Sequence, residues 1–270
     1  MLFHCEDLIE NIRQVREHNP LIINLTNDVV TNVSANMLLA CGASPIMAHS
    51  RRELDELIAQ AQAVVINIGT LDEIRVARMQ MAIDAANRYQ KLVVLDPVGC
   101  GASQYRTQTA QHFVECTDHL VIRANASELL ALADRPRQGQ GVDSGDDSTA
   151  AIAAAKFLQQ QWPHKPLLEI SISGACDQLI LRDQHYQITN GHPMMTHITG
   201  TGCSLSALTA AYRSTHPAGL LTSAAVMSIA GEIAASQVQG PAALQQLLID
   251  TIYQLSAEQM HQHLNLEWVS

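Results

Sequence analysis

Ala63-Val64-Val65-Ile66-Asn67-Ile68-Gly69-Thr70, then Asp72 to Tyr89, then Lys91-Leu92-Val93-Val94-Leu95-Asp96-Pro97-Val98-Gly99 give an apolar run, a long helical segment and a second apolar run. Short apolar runs bounded by glycine or proline turns read as buried strands, and a helix between two of them predicts a β-α-β unit with parallel strands. The alternation extends in both directions. Upstream, Asp7 to His18 carries Leu8, Ile9, Ile12 and Val15 at helical spacing before Pro20, and Leu21 to Leu25 reads as a strand. A helix through Asn36 and Leu39 is expected to stop at Gly42, and Ala43-Ser44-Pro45-Ile46-Met47 to form an extended or turn-like βα loop. Downstream, His119 to Ile122 predicts a strand whose end, Arg123 to Glu128, opens a helix. Arg135 to Asp147 reads as an exposed loop and Ser148 to Gln161 as a helix. Leu167 to Ser173, Gln178 to Leu181 and Tyr186 to Thr189 read as a strand meander, and from Cys203 onward the chain is mostly helical, with an alanine-rich run from Leu220 to Val238. The pattern predicts an α/β fold in one domain, 1–270, with a central mostly parallel sheet and helices on both faces.

Composition narrows the function. A hydrophobic content of 47% over 270 residues supports a sizeable core, and a formal net charge of -10 without a long Lys or Arg run argues against nucleic acid as a partner. No apolar stretch is long enough to span a bilayer, and Met1 to Asp7 lacks a basic region followed by an apolar one. A cytoplasmic protein acting on small molecules, with no membrane partner, is the expectation. The six cysteines lie without a C-x-x-C pair, and the twelve histidines show no metal-ligand spacing.

The chemistry converges on the carboxyl ends of the predicted strands, the side on which open α/β sheets bind ligands. Thr199-Gly200-Thr201-Gly202-Cys203 is a glycine turn feeding a helix of small residues. It serves either as a plain connection or as an anion site, because glycines admit close approach and a helix N-terminus offers unpaired amides. No G-K-[ST] follows, so it is not a P-loop. Cys203 in that positive end is expected to ionise more readily than a free thiol. Asp96 and Glu128 read in isolation as a turn cap and a surface charge; at strand ends on the ligand side they are also placed to hold Mg2+ against phosphates. Arg123 offers either a surface ion pair or directed charge neutralisation. Met47 is either core filling or the soft wall of a pocket, and Asn27 lies in an asparagine-rich stretch that capping explains only in part.

Asn24-Leu25-Thr26-Asn27 through Asn36, Gly42-Ala43-Ser44-Pro45-Ile46-Met47-Ala48, Leu95-Asp96-Pro97-Val98-Gly99, Asn125-Ala126-Ser127-Glu128 and Thr199-Gly200-Thr201-Gly202-Cys203 together resemble the hydroxyethylthiazole kinases of thiamine salvage, within the ribokinase-like fold. The resemblance spans most of the chain, and the Gly-Ala-Ser-Pro-x-Met and Thr-Gly-Thr-Gly-Cys elements in this order are its most specific parts.

The resemblance implies ATP-dependent phosphorylation of the primary alcohol of 4-methyl-5-(2-hydroxyethyl)thiazole. It implies thiazole contacts at Met47 and Gly200, ATP contacts at Arg123 and Ser173, and Mg2+ organised by Asp96 and Glu128. Cys203 takes the place where related sugar kinases carry an aspartate base, beside an anion hole of Gly200, Thr201 and Gly202 amides. A homotrimer with the thiazole pocket between subunits is also implied. Ser173 departs from the family's usual threonine but keeps the hydroxyl. Ala124 replaces a frequent glycine, which would stiffen the loop if the position needs positive φ. The competing readings are a ribokinase-like kinase for another small alcohol, such as a hydroxymethylpyrimidine or a sugar, and a ligand-binding regulator without turnover.

Overall fold

The computed structural model describes residues 2–134 and 144–270. Its strands are β1 (Leu21–Leu25), β2 (Ser44–Met47), β3 (Ala63–Asn67), β4 (Leu92–Asp96), β5 (His119–Asn125), β6 (Leu167–Ser173), β7 (Asp177–Ile180), β8 (His185–Ile188) and β9 (Leu266–Trp268). They form one sheet in the order β2-β1-β3-β4-β5-β6-β7-β8-β9. Pairing is parallel from β2 through β6 and antiparallel from β6 to β9. Strands β3 and β4 are buried along their whole length, as expected when both faces of a parallel sheet are covered.

Helices α1 (Cys5–His18), α2 (Thr31–Cys41), α8 (Thr201–Arg213), α9 (Gly219–Ala235) and α10 (Pro241–Gln254) cover one face. Their apolar side chains pack with Ile22, Val65, Val94 and Val121. The other face lies under α3 (Leu54–Gln60), α4 (Glu73–Arg88), α5 (Gln104–Cys116), α6 (Ala126–Leu132) and α7 (Ser144–Gln161), which pack with Ile23, Val64, Ile66, Val93, Leu95 and Ile122. Side chains along a strand alternate between faces. Counting on from these apolar residues, Asn67, Asp96 and Arg123 fall on the face covered by α8, at or near the carboxyl ends of three adjacent strands.

The expected architecture, a mostly parallel sheet between two helical layers, is the one observed. Four local expectations change. Of the two conformations expected for Ala43 to Met47 the extended one is found, as strand rather than loop: Ser44 to Met47 form β2, and Pro45 is accommodated because β2 is an edge strand paired on one side only. Helices α3 and α5 were not anticipated. Helix α7 starts at Ser144, earlier than Ser148, while residues 135–143 of the expected loop lie outside the described residues. Leu266 to Trp268 add a final strand beside β8. The concern about Ala124 also falls away: it lies in β5, fully buried, and is not among the described residues with positive φ.

Candidate active site

The turn before α8 is built by glycine. Gly200 caps the helix at φ 88°, a left-handed conformation that costs glycine little, and a Cβ there would stand 2.8 Å from Val30 Cγ1. The first amides of α8, from Thr201, Gly202 and Cys203, have no partner within the helix. Gly202 is constrained by contact instead: a Cβ would meet Arg123 Nη1 at 2.8 Å. The guanidinium therefore lies against the backbone of the turn.

Polar side chains link the carboxyl ends of five neighbouring strands. Asn27, two residues past β1, donates from Nδ2 to Asn67 Oδ1 (2.8 Å) and to Cys203 Sγ (3.5 Å). Asn67 donates from Nδ2 to Asp96 Oδ2 at 2.8 Å. Arg123 Nη1 lies 3.7 Å from Asp96 Oδ1, and Arg123 Nη2 donates to the Ser173 hydroxyl. Ser206, one helical turn beyond Gly202, donates to Asp96 Oδ2 at 2.7 Å. Asp96 is fully buried, yet its Oδ1 has no hydrogen-bond partner, and neither does Arg123 Nε. Buried unsatisfied polar atoms of opposite charge, side by side, form a site with unused capacity for both a cation and an anion.

Burial pushes the Asp96 carboxyl above its ordinary range, against the opposing pull of Arg123 and the Ser206 hydrogen bond. The Cys203 thiol moves against the expectation from its helix position. Burial first, and the Asp96 charge second, push it up to about 11, so the thiol is protonated at neutral pH. The hydrogen bonds from Asn67 and Asn27 and the Arg123 charge act in the opposite direction and do not offset the burial.

Glu128 is engaged differently. Its Oε2 accepts from the Asn125 amide and its Oε1 from the Gly99 amide, both at 3.0 Å, while Asn125 Oδ1 accepts from the Glu128 amide. The carboxylate thus caps α6 and pins the turn after β4. No three His, Cys, Asp or Glu side chains gather as a metal-binding group among the described residues. Two carboxylates without a third ligand fit an ion such as Mg2+, which one or two carboxylates hold while phosphate oxygens and water complete the shell: Asp96 offers Oδ1, which accepts no hydrogen bond, and each Glu128 oxygen keeps a lone pair.

Met47 ends β2, opposite Asn24 of β1 and one strand outward from the polar chain, half-buried on the sheet edge. Among the predicted residues, Asn27, Asp96, Arg123, Ser173, Gly202 and Cys203 are therefore joined directly. Glu128 is joined to the turn after β4, and Met47 sits at the margin.

Asn67 and Ser206 escaped the sequence reading. A lone asparagine closing an otherwise apolar, fully buried strand was the available signal for the first. Two arginines were missed as well. Arg106 donates to the carbonyls of Gly69 (2.7 Å) and Val98 (3.0 Å), tying together the loops after β3 and β4. Arg75 donates to Asp28 Oδ1 (2.6 Å) and Thr70 Oγ1 (2.8 Å), holding the loop that carries Asn27.

A concavity of about 580 Å³ lies at the opposite strand ends, against Trp162, Lys165, Leu168 and Arg182. Two of its cations are engaged by backbone carbonyls: Lys165 Nζ by those of Glu115 and Thr117, Arg182 Nη2 by that of Pro163.

A family model described as the hydroxyethylthiazole kinase family matches residues 12–258. The chain belongs to the hydroxyethylthiazole kinase family. It is 48% identical over 264 residues to a hydroxyethylthiazole kinase of Vibrio campbellii, covering 96% of this chain and 99% of the relative. It is similar to the solved structure of the hydroxyethylthiazole kinase protein from Pyrococcus horikoshii, with TM-score 0.87 and 35% identity over 98% of this chain and 100% of that one. A ribokinase-like superfamily protein from Enterococcus faecalis shares the fold at 14% identity, with TM-score 0.65 over 94% of this chain and 96% of that one. In this chain the glycine turn, Arg123, Asp96 and Cys203 lie at the same end of the sheet.

Proposed function

We propose that the protein transfers the γ-phosphoryl group of ATP to the primary alcohol of 4-methyl-5-(2-hydroxyethyl)thiazole, a step of thiamine salvage. The observation that carries this reading, beyond family membership, is the contact of the Gly202 backbone with Arg123 beside the Asp96 oxygen that accepts no hydrogen bond. Phosphoryl transfer asks for alignment and charge stabilisation more than for covalent chemistry. The Gly200, Thr201 and Gly202 region supplies amides toward the transferred group, and Arg123, braced by Ser173, neutralises its charge. Asp96 and Glu128 would hold Mg2+, which when bound offsets phosphate charge. Asn27, Met47 and Gly200 form the thiazole side. Cys203 is a weak base at neutral pH because its thiol keeps its proton. A hydroxyl attacking a loose transition state need not lose its proton early, so the amides and Arg123 take the larger share.

The 270 residues act as one domain in this reading, since strands from both halves of the chain build a single sheet. The working unit is a cytoplasmic homotrimer with the thiazole pocket completed between subunits. Three features support an interface there: Met47 lies on the open edge of the sheet, and the nearby Val29 and Leu39 are 64% and 59% exposed. No helix among the described residues is long and apolar enough to cross a membrane.

Thiazole-dependent ADP release with Mg2+, run beside a hydroxymethylpyrimidine and sugars, tests the function. Preference for another alcohol would reassign the substrate; ligand binding without ADP release would make the protein a regulator.

A further inference from the structure

Asn67 closes β3 between β1 and β4, is buried, and uses its whole amide. Its Oδ1 accepts from the Gly69 backbone N–H at 3.0 Å and from Asn27 Nδ2 at 2.8 Å; its Nδ2 donates to Asp96 Oδ2 at 2.8 Å. A backbone N–H can only donate, so Gly69 fixes which end of the Asn67 amide is oxygen. The same logic holds one strand over. The Val29 N–H donates to Asn27 Oδ1 at 3.1 Å, which leaves Asn27 Nδ2 facing Asn67 and the Cys203 sulfur. Donation therefore runs in one sense, from Asn27 to Asn67 to Asp96.

The end of that chain is selective. Asn67 and Ser206 both donate to Asp96 Oδ2, while Oδ1 is left with Arg123 at 3.7 Å and no hydrogen bond. Two neutral donors on one oxygen turn the other toward the charged side of the site. We propose that Asn67 is a positioning residue for phosphoryl transfer: it couples the placement of Asn27, on the acceptor side, to the orientation of the Asp96 carboxylate, on the phosphate side. The proposal rests on the kinase reading above.

Asn67→Asp separates the two halves of this role. The substituted side chain keeps an oxygen for Gly69 and Asn27 but loses the amide N–H toward Asp96, and two buried carboxyls this close hold a proton between them, which lowers the negative charge Asp96 can offer. For this variant kcat on the thiazole alcohol should fall about 10- to 100-fold, the usual effect of losing a partner that orients a working carboxylate. Thiazole binding, measured by calorimetry without nucleotide, should stay within about threefold, because an interaction expressed only during transfer leaves ground-state binding alone. Asn67→Ala removes both contacts and should also weaken thiazole binding, by about tenfold. Thermal unfolding of each variant is measured alongside, and Asn67→Ser, neutral and too short to reach Asp96, replaces Asn67→Asp if the latter does not fold. Wild-type kcat in Asn67→Asp would overturn the proposal, as would losses of kcat and binding that simply track lost thermal stability in all variants. A wild-type protein that neither binds nor phosphorylates the thiazole would overturn the function, and this role with it; wild-type turnover with indifferent Asn67 variants would overturn this role alone.

Discussion

Gly202 and Arg123 are packed so closely that the guanidinium occupies the space a side chain at position 202 would need: an added Cβ would lie 2.8 Å from Nη1 and 3.0 Å from Nη2. Arg123 cannot simply swing away, because Ser173 and Asp96 hold it from the other side. Gly202→Ala is therefore expected to displace Arg123 while leaving the core untouched. A misplacement of about 1 Å in a group that orients the reacting atoms can cost about 100-fold in turnover. Steady-state kinetics should show that loss in kcat, with a raised KM for ATP, and circular dichroism should be unchanged. Wild-type kinetics would mean that Arg123 plays no part in transfer.

Cys203 gives a pH prediction with a definite sign. Its thiol moves from 9.0 to about 11 on folding, so between those values the native chain holds a proton that the unfolded chain has released. The group's stabilising contribution is complete below pH 9 and is lost as pH rises through about 11. Cys203→Ser should flatten that part of the stability profile relative to wild type, as followed by thermal unfolding from pH 8 upward. Turnover in the same variant should fall only partially. Complete loss with ATP binding intact would make the thiol an indispensable base.

Glu128 serves two purposes that substitutions can separate. Glu128→Gln retains one acceptor oxygen and should fold well, whereas Glu128→Ala gives up the Asn125 amide bond that completes the capping box of α6, and the Gly99 contact, while the Asn125 cap itself remains. Both should raise the Mg2+ concentration needed for half-maximal turnover, with thiazole binding little changed. Identical Mg2+ titrations in wild type and both variants would leave Glu128 a purely structural residue.

Leu39 projects from α2 with 59% of its surface exposed. If the free β2 edge and α2 meet a neighbouring subunit, Leu39→Lys should shift sedimentation from trimer to monomer and raise the KM for the thiazole. An active wild-type monomer at assay concentration would remove the shared-pocket reading.

The sheet was legible because parallel strands buried on both faces leave short apolar runs between helices. Its outer strand β2 was not, because Pro45 mimics a turn unless it is known to lie at an edge. The site was legible where residue type and turn coincide, as at Asp96-Pro97 and Gly200-Thr201-Gly202-Cys203. It was hidden where a residue works by bridging strands distant in sequence: Asn67 stands 40 residues from Asn27 and 29 from Asp96. The Cys203 expectation failed for a related reason. Sequence displays the helix terminus beside the thiol but not the burial or the Asp96 charge, which outweigh it.

Strands β3 and β4 read Ala-Val-Val-Ile-Asn and Leu-Val-Val-Leu-Asp, and Asn67 stands level with Asp96. With oil on both faces, the apolar part of such strands distinguishes poorly between one alignment and a slip by one residue. The polar ends do distinguish them, because a slip would bury Asn67 or Asp96 among aliphatic side chains without partners. The groups assigned to phosphoryl transfer thus also act as alignment marks while the sheet assembles. Substitutions at these positions would then be screened twice, once for turnover and once for the yield of correctly threaded protein.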